Sequence, residues 1–412
     1  MHALTTGPNP RWRAATTAAV VMLLTLTLAL TLAGCGGGSN DAGTADTSGS
    51  ATKSAQAALG ELIFNDASLS ASGRQACSSC HDPGHGHAAP NALAAQLGGA
   101  ALDQPGGRNA PGIRYLASSP SFHVDANGTP TGGLFWDGRA TSLRDQAGGP
   151  FLNPVEMANG SVTEVVRRLA RANYADQFRQ VFGAAIFDRP EHAFARMTLA
   201  LQQYQLEDTD FGPFSSKYDE FLRGRSTLAV AEQRGLALFN APGKGNCAAC
   251  HPSAKAANGS HPLFTDFSYD NLGVPRNPAL AQNADPAFFD LGLCARPAGD
   301  LAARRDLCGA FKVPSLRNVA LRGAYFHNGR FSSLKEALTF YVQRDSHPEK
   351  WYPRGADGVL RKFDDLPGAL HGYVNTREAP YNRRPGDLPA LDDAEIDDLI
   401  AFLGTLSDGY AR

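Results

Sequence analysis

The feature that most constrains this chain is a duplicated cysteine motif. Gly60-Glu-Leu-Ile-Phe-Asn65 is followed by Cys77-Ser-Ser-Cys-His81, and Gly235-Leu-Ala-Leu-Phe-Asn240 by Cys247-Ala-Ala-Cys-His251. In Cys-x-x-Cys-His the two thiols add to the vinyl groups of a porphyrin, and the adjacent imidazole reaches its iron. A zinc site would bring its second cysteine pair within about twenty residues; these pairs stand 170 apart. A thioredoxin-like motif needs a βαβ setting and no following histidine. The sequence therefore predicts two covalent haem c groups, attached through Cys77, Cys80, Cys247 and Cys250, with His81 and His251 as axial iron ligands.

The duplication also predicts two related, cytochrome-c-like domains, 54–215 and 216–412, divided at Gly212-Pro213 and the polar Ser215-Ser216-Lys217. Apolar residues recur at three- and four-residue spacing over 162–170, 191–204, 228–239, 334–341 and 393–406, the pattern of helices. Asp392 and Asp393 are start signals for the last of them. Gly/Pro-rich stretches such as 98–133 and 252–286 separate the helices, and no alternating strand pattern shows. The expected fold class is mainly α with long ordered loops. A chain of 412 residues, 43% apolar, can bury two cores. Its formal net charge of −2 argues against a nucleic-acid partner.

Arg11 and Arg13 precede an apolar run from Ala14 to Ala33 that ends in Leu32-Ala33-Gly34-Cys35. This reads as a secretory signal over 1–34. Its end resembles the bacterial lipobox, in which the cysteine, here Cys35, is lipidated and anchors the chain to a membrane; an uncleaved apolar anchor is the alternative. Residues 35–53 are small and polar, as in a flexible tether. Export places the chain in an oxidising, periplasmic setting. There Cys294 and Cys308 read as a disulfide worth about 3 kcal/mol in the chain-entropy model, or else as free structural thiols.

Further landmarks are Arg108-Asn-Ala-Pro111, Phe135-Trp-Asp-Gly-Arg139, Phe311-Lys-Val-Pro-Ser-Leu-Arg-Asn318 and Tyr325-Phe-His-Asn-Gly329. With the two haem motifs, they resemble the bacterial di-haem cytochrome c peroxidase/MauG family over nearly the whole mature chain. Asp290-Leu-Gly-Leu-Cys294, Cys308-Gly-Ala-Phe311, Trp351-Tyr-Pro353 and Thr405-Leu-Ser-Asp-Gly-Tyr410 look most like its MbnH branch, which is associated with copper-binding partner proteins.

The resemblance implies a peroxide-reactive N-terminal haem with Glu156, Gln146 and Pro150 as its distal set. Asn153-Pro-Val-Glu156 also reads as a plain helix start. Peroxidases of the family place a distal histidine before Arg-Asn-x-Pro; Leu97–Pro105 here contains none. Trp136 matches the inter-haem tryptophan. No Met follows Met197, and Tyr341 stands where the peroxidases carry a methionine ligand, although its helical face also suits a core residue. The resemblance further implies a calcium ion held by Asn109 and the carbonyls of Arg322 and Ala324, with Arg322-Gly-Ala324 replacing the usual Thr-x-Pro.

The function so implied is a peroxide-driven di-haem oxidoreductase that reaches a high-valent state and oxidises a partner protein by long-range electron transfer. By the MbnH likeness, the target is a tryptophan of a copper-binding protein, converted to kynurenine. The alternatives are a cytochrome c peroxidase fed by a small cytochrome or cupredoxin, and a non-catalytic di-haem electron carrier. Trp351 and Tyr352 read as relay or docking aromatics, or as surface residues without a role. His85 and His87 lie too close behind His81 for the chain to carry either around a porphyrin edge. A metal contact, a propionate contact or an exposed loop remains open for them.

Overall fold

The structure is a computed structural model that describes residues 52–411. The signal, Cys35 and nearly all of the tether fall outside the described residues. Lys53 is fixed, its Nζ on Glu61 (2.5 Å) and Asp208 (2.8 Å).

Ten α-helices occur among the described residues: α1 (Ala55–Phe64), α2 (Cys77–Cys80), α3 (Leu143–Leu152), α4 (Val162–Leu169), α5 (Ala175–Phe182), α6 (Pro190–Glu207), α7 (Lys217–Leu222), α8 (Val230–Asn240), α9 (Leu334–Gln343) and α10 (Asp393–Gly404). Strand is limited to three antiparallel pairs of two residues each. The protein is mainly helical with little sheet. Helix starts follow local chemistry. Asp392 accepts from the Glu395 amide while the Glu395 side chain returns to Asp392, a reciprocal cap. Ser142, Ser161 and Ser333 each cap the helix that follows.

Apolar burial divides into two main cores. One runs from Leu59 to Phe211 and gathers α1 and α3–α6; the other runs from Tyr218 to Leu406 and gathers α7–α10. Both lie in one compact unit, Thr52–Arg412. The repeated Gly-x-x-x-Phe signature has the same purpose in each core. A Cβ on Gly60 would stand 2.0 Å from the Ala200 carbonyl oxygen of α6, and one on Gly235 would stand 2.1 Å from that of Asp398 in α10. Each glycine lets two backbones touch at a helix crossing. Four residues on, Phe64 packs on Tyr204 at 5.6 Å and Phe239 on Phe402 at 5.2 Å. A smaller apolar cluster surrounds Cys294 and Cys308, which are joined as a disulfide.

Candidate active site

Each Cys-x-x-Cys-His forms a single tight turn. The His81 amide donates to the Cys77 carbonyl at 2.9 Å, and the His251 amide to the Cys247 carbonyl at 2.9 Å. Both turns wall the same cavity, about 930 Å³ in volume. None of their four cysteines is disulfide-bonded. Burial pushes Cys77, Cys247 and Cys250 up to about 12 and Cys80 to about 11. These are neutral thiols. Among the described residues no three His, Cys, Asp or Glu side chains converge as a metal cluster.

Burial lowers both imidazoles, His81 to about 4, which keeps them in the neutral form that ligates metal. His251 Nδ1 sits 2.7 Å from the Phe264 carbonyl, so Nε2 is its free nitrogen. His81 Nδ1 is buried without a partner. A large shared cavity, paired neutral thiols and neutral imidazoles fit two haems.

A second repeat, not recognised in the sequence, also lines the cavity. Leu134-Phe-Trp-Asp-Gly-Arg-Ala140 and Tyr325-Phe-His-Asn-Gly-Arg-Phe331 make the same turn. Each is closed by a bridge between its end residues. Phe135 and Phe326 share φ near +65° (64° and 66°), and Gly138 and Gly329 are also left-handed. Ser142 and Ser333 then cap α3 and α9 in the same way, each accepting from the amide three residues on. The alignment makes Trp136 equivalent to His327 and Pro150 equivalent to Tyr341. All four line the cavity.

Glu156 and Gln146 also face the cavity. No helix starts at Asn153; α4 begins at Val162 behind Ser161. Asn153 instead donates its side-chain amide to Glu156 Oε1 at 2.9 Å. Burial raises the Glu156 carboxyl, against the opposing pull of Arg139 and of that hydrogen bond. The histidine-free segment is its direct neighbour: a Cβ on Gly98 would lie 2.2 Å from the Val155 carbonyl oxygen, and the Gly99 amide donates to the Glu156 carbonyl at 2.8 Å.

Tyr341 projects from α9 beside Phe326 (5.3 Å) and Tyr381 (6.0 Å), and burial raises its phenol. Tyr381, another cavity-wall residue with a phenol raised by burial, has no signature in the sequence. Lys312 was visible only as part of Phe-Lys-Val-Pro. Its Nζ donates to Ser119 Oγ at 2.7 Å and to the Gly133 carbonyl, and burial lowers it to about 8.

Two sequence readings are corrected by geometry. Tyr352 is buried, with its hydroxyl on the Gly273 carbonyl at 2.6 Å, so it is not a surface aromatic; Trp351 packs edge-on against Phe331 and Phe340. His87 is buried against Phe211, with ring centroids 4.3 Å apart, and accepts from Arg114. Half-exposed His85 pairs with Asp82 at 2.7 Å, so the two histidines do not converge. In the calcium set, Asn109 Oδ1 is already occupied by a cationic side chain. Arg322 donates its guanidinium to Asn109 Oδ1, and the Arg322 carbonyl accepts from the Tyr325 hydroxyl at 2.7 Å. Ala324 is buried.

Fold and cavity together define a di-haem protein of mainly helical build. Comparison with known proteins agrees. A profile described as di-haem cytochrome c peroxidase matches residues 54–227. Methylamine utilization protein MauG of Paracoccus denitrificans is 39% identical over 380 residues, covering 89% of this chain and 92% of that protein. Cytochrome c551 peroxidase of Nitrosomonas europaea is 33% identical over 285 residues, covering 68% and 71%. Among solved structures, the diheme peroxidase BthA from Burkholderia thailandensis matches with a TM-score of 0.78 at 41% identity over 86% of each chain. A MauG-like protein associated with microbial copper homeostasis matches at 0.58 and 25% identity, covering 87% of this chain and 91% of that one. The chain belongs to the di-haem cytochrome c peroxidase/MauG family and is a peroxide-dependent di-haem oxidoreductase.

Proposed function

We propose that this chain uses hydrogen peroxide to withdraw electrons from an aromatic side chain of a partner protein, with Trp136 as the bridge between its two haem sites. The observation that carries this reading is the pairing of Pro150 with Tyr341 at equivalent points of a repeated helix. Proline offers no donor and leaves the face beside Glu156 open to peroxide. Tyr341 is a neutral phenol as it stands; bound to iron it would give up its proton and become an anionic donor, favouring oxidised iron where methionine would favour reduced iron.

Cys77, Cys80 and His81, and Cys247, Cys250 and His251, would each hold a haem, which would supply the redox chemistry for two-electron reduction of peroxide. Glu156 moves a proton from the near to the far oxygen of peroxide. Its Oε1 is fixed by Asn153, and Gln146 borders the same space. Peroxide takes up two electrons and two protons and leaves as two waters; the electrons come from the partner. Lys312, a buried ammonium with no carboxylate beside it among the described residues, would take a haem carboxylate.

On this reading 54–215 is the peroxide-reactive domain and 216–412 carries the second haem. Lipidated Cys35 holds the enzyme at the periplasmic face of a membrane, and the partner is a copper-binding protein or another periplasmic protein. The likeness to a named peroxidase favours one second reading, in which a small electron carrier feeds peroxide reduction. Mixing peroxide with the fully oxidised protein separates the two. The proposal expects an immediate spectral change that persists until an aromatic donor discharges it. Reaction only after prior one-electron reduction would refute it in favour of the peroxidase.

A further inference from the structure

The wall between the two haem motifs already contains a cation. We propose that the Arg322 guanidinium takes the place of a metal ion there, and that it positions Asn109 and, through Asn109, the turns bearing Trp136 and His327. The inference rests on these residues alone and holds whichever partner the enzyme serves.

Asn109 commits every polar group it has. Its amide donates to the His327 carbonyl at 2.7 Å, and its own carbonyl accepts the Trp136 indole Nε1–H at 2.8 Å. Its side-chain nitrogen donates to the Ala94 carbonyl at 3.0 Å, and its Oδ1 receives Arg322 Nη2. The same Nη2 lies 3.0 Å from the Ala110 carbonyl. One residue thus joins the two equivalent turns of the second repeat, and one guanidinium holds that residue.

A hard cation needs a shell of oxygen donors free to face it. Here Asn109 Oδ1 already receives Arg322 Nη2, whereas the Arg322 carbonyl, which accepts from the Tyr325 hydroxyl, keeps a second lone pair. A divalent ion on Oδ1 would also sit against a second positive charge. No carboxylate pairs with Arg322 among the described residues. A buried charge without a counter-ion persists only where oriented dipoles solvate it, and carbonyl oxygens provide that for a guanidinium as they would for a metal. Burial lowers Arg322 only to about 10, so it remains charged at neutral pH.

The test uses the full-length holo-protein and does not depend on turnover. Metal analysis after chelating-resin treatment should find no stoichiometric calcium, and EGTA or CaCl2 should leave thermal melting and the near-UV tryptophan dichroism unmoved. Arg322→Thr, which frees Asn109 Oδ1 and restores the family's residue, should gain a calcium ion. Its tryptophan signal should be altered in EGTA and restored by CaCl2. Arg322→Lys keeps the charge but not the planar fork; it should remain calcium-free with a partly altered signal. Stoichiometric calcium in the wild type, or a melting temperature that EGTA lowers, would overturn the proposal. So would an Arg322→Thr protein with wild-type dichroism in EGTA. If Arg322→Thr does not fold, wild-type dichroism in Arg322→Lys refutes the positioning role, and altered dichroism supports it.

Discussion

Replacing Glu156 by Gln should slow the reaction of the oxidised protein with peroxide by about a hundredfold or more. General acid–base help from a positioned side chain is worth roughly 10² to 10⁴, and a hundredfold is about 2.7 kcal/mol on the barrier. The amide keeps the volume and the Oε1 acceptor that Asn153 uses at 2.9 Å, so packing changes little while proton transfer is lost. The sign of the accompanying stability effect is opposite. Burial raises the folded-state pKa of Glu156 above its ordinary 4.5. Its contribution is therefore full below that value and is lost as pH rises through the folded pKa, where a charge must form in a buried site. Glutamine never ionises, so the variant should melt no lower than wild type at neutral pH and relatively higher as pH rises. Stopped-flow mixing with peroxide gives the rate, and its pH profile should lose an acid limb lying above pH 4.5. A variant that reacts as fast as wild type, or keeps that limb, would show that Glu156 is not the proton carrier.

Tyr341→Met should raise the potential of the second haem and make the reaction with peroxide depend on prior reduction; a potentiometric titration showing no rise would count against ligation by Tyr341. Gly60→Ala and Gly235→Ala each place a methyl about 2 Å from a carbonyl oxygen of the crossing helix, and overpacking of that kind costs about 1–3 kcal/mol, readable as a lowered denaturation midpoint. Asp219 is fully buried between Arg317 (2.9 Å) and His261 (2.6 Å), so Asp219→Asn strands a buried guanidinium and should cost about 3–5 kcal/mol. Burial alone would raise the Asp219 carboxyl, but its hydrogen bonds from Arg317 hold it below the usual 3.8. Its contribution is present above that pH and is lost as pH falls through the folded value, an acid-melting limb that Asp219→Asn should lack.

What the sequence disclosed and what it hid follow from the range of the interactions involved. Five residues suffice to define a haem-attachment turn, and periodicity with a reciprocal cap suffices to start α10 at Asp393. The Gly60/Gly235 repeat was visible as a repeat, but its cause, backbone contact with Ala200 and Asp398, lies more than a hundred residues away in each case. The second repeat is weaker: Trp136 aligns with His327, Pro150 aligns with Tyr341, and the shared Phe-x-x-Gly-Arg core emerges only when 134–143 is set beside 325–334. Yet that alignment is what sets Pro150 against Tyr341, since it shows one helix position filled first by proline and then by tyrosine. Arg322 marks the limit. Its backbone could be matched to a family loop, but whether that loop binds a metal depends on where the side chain goes. That is decided by Asn109, 213 residues earlier in the chain. A substitution that leaves every backbone oxygen in place can therefore close a metal site, because the new side chain supplies the charge that those oxygens would otherwise gather from solution.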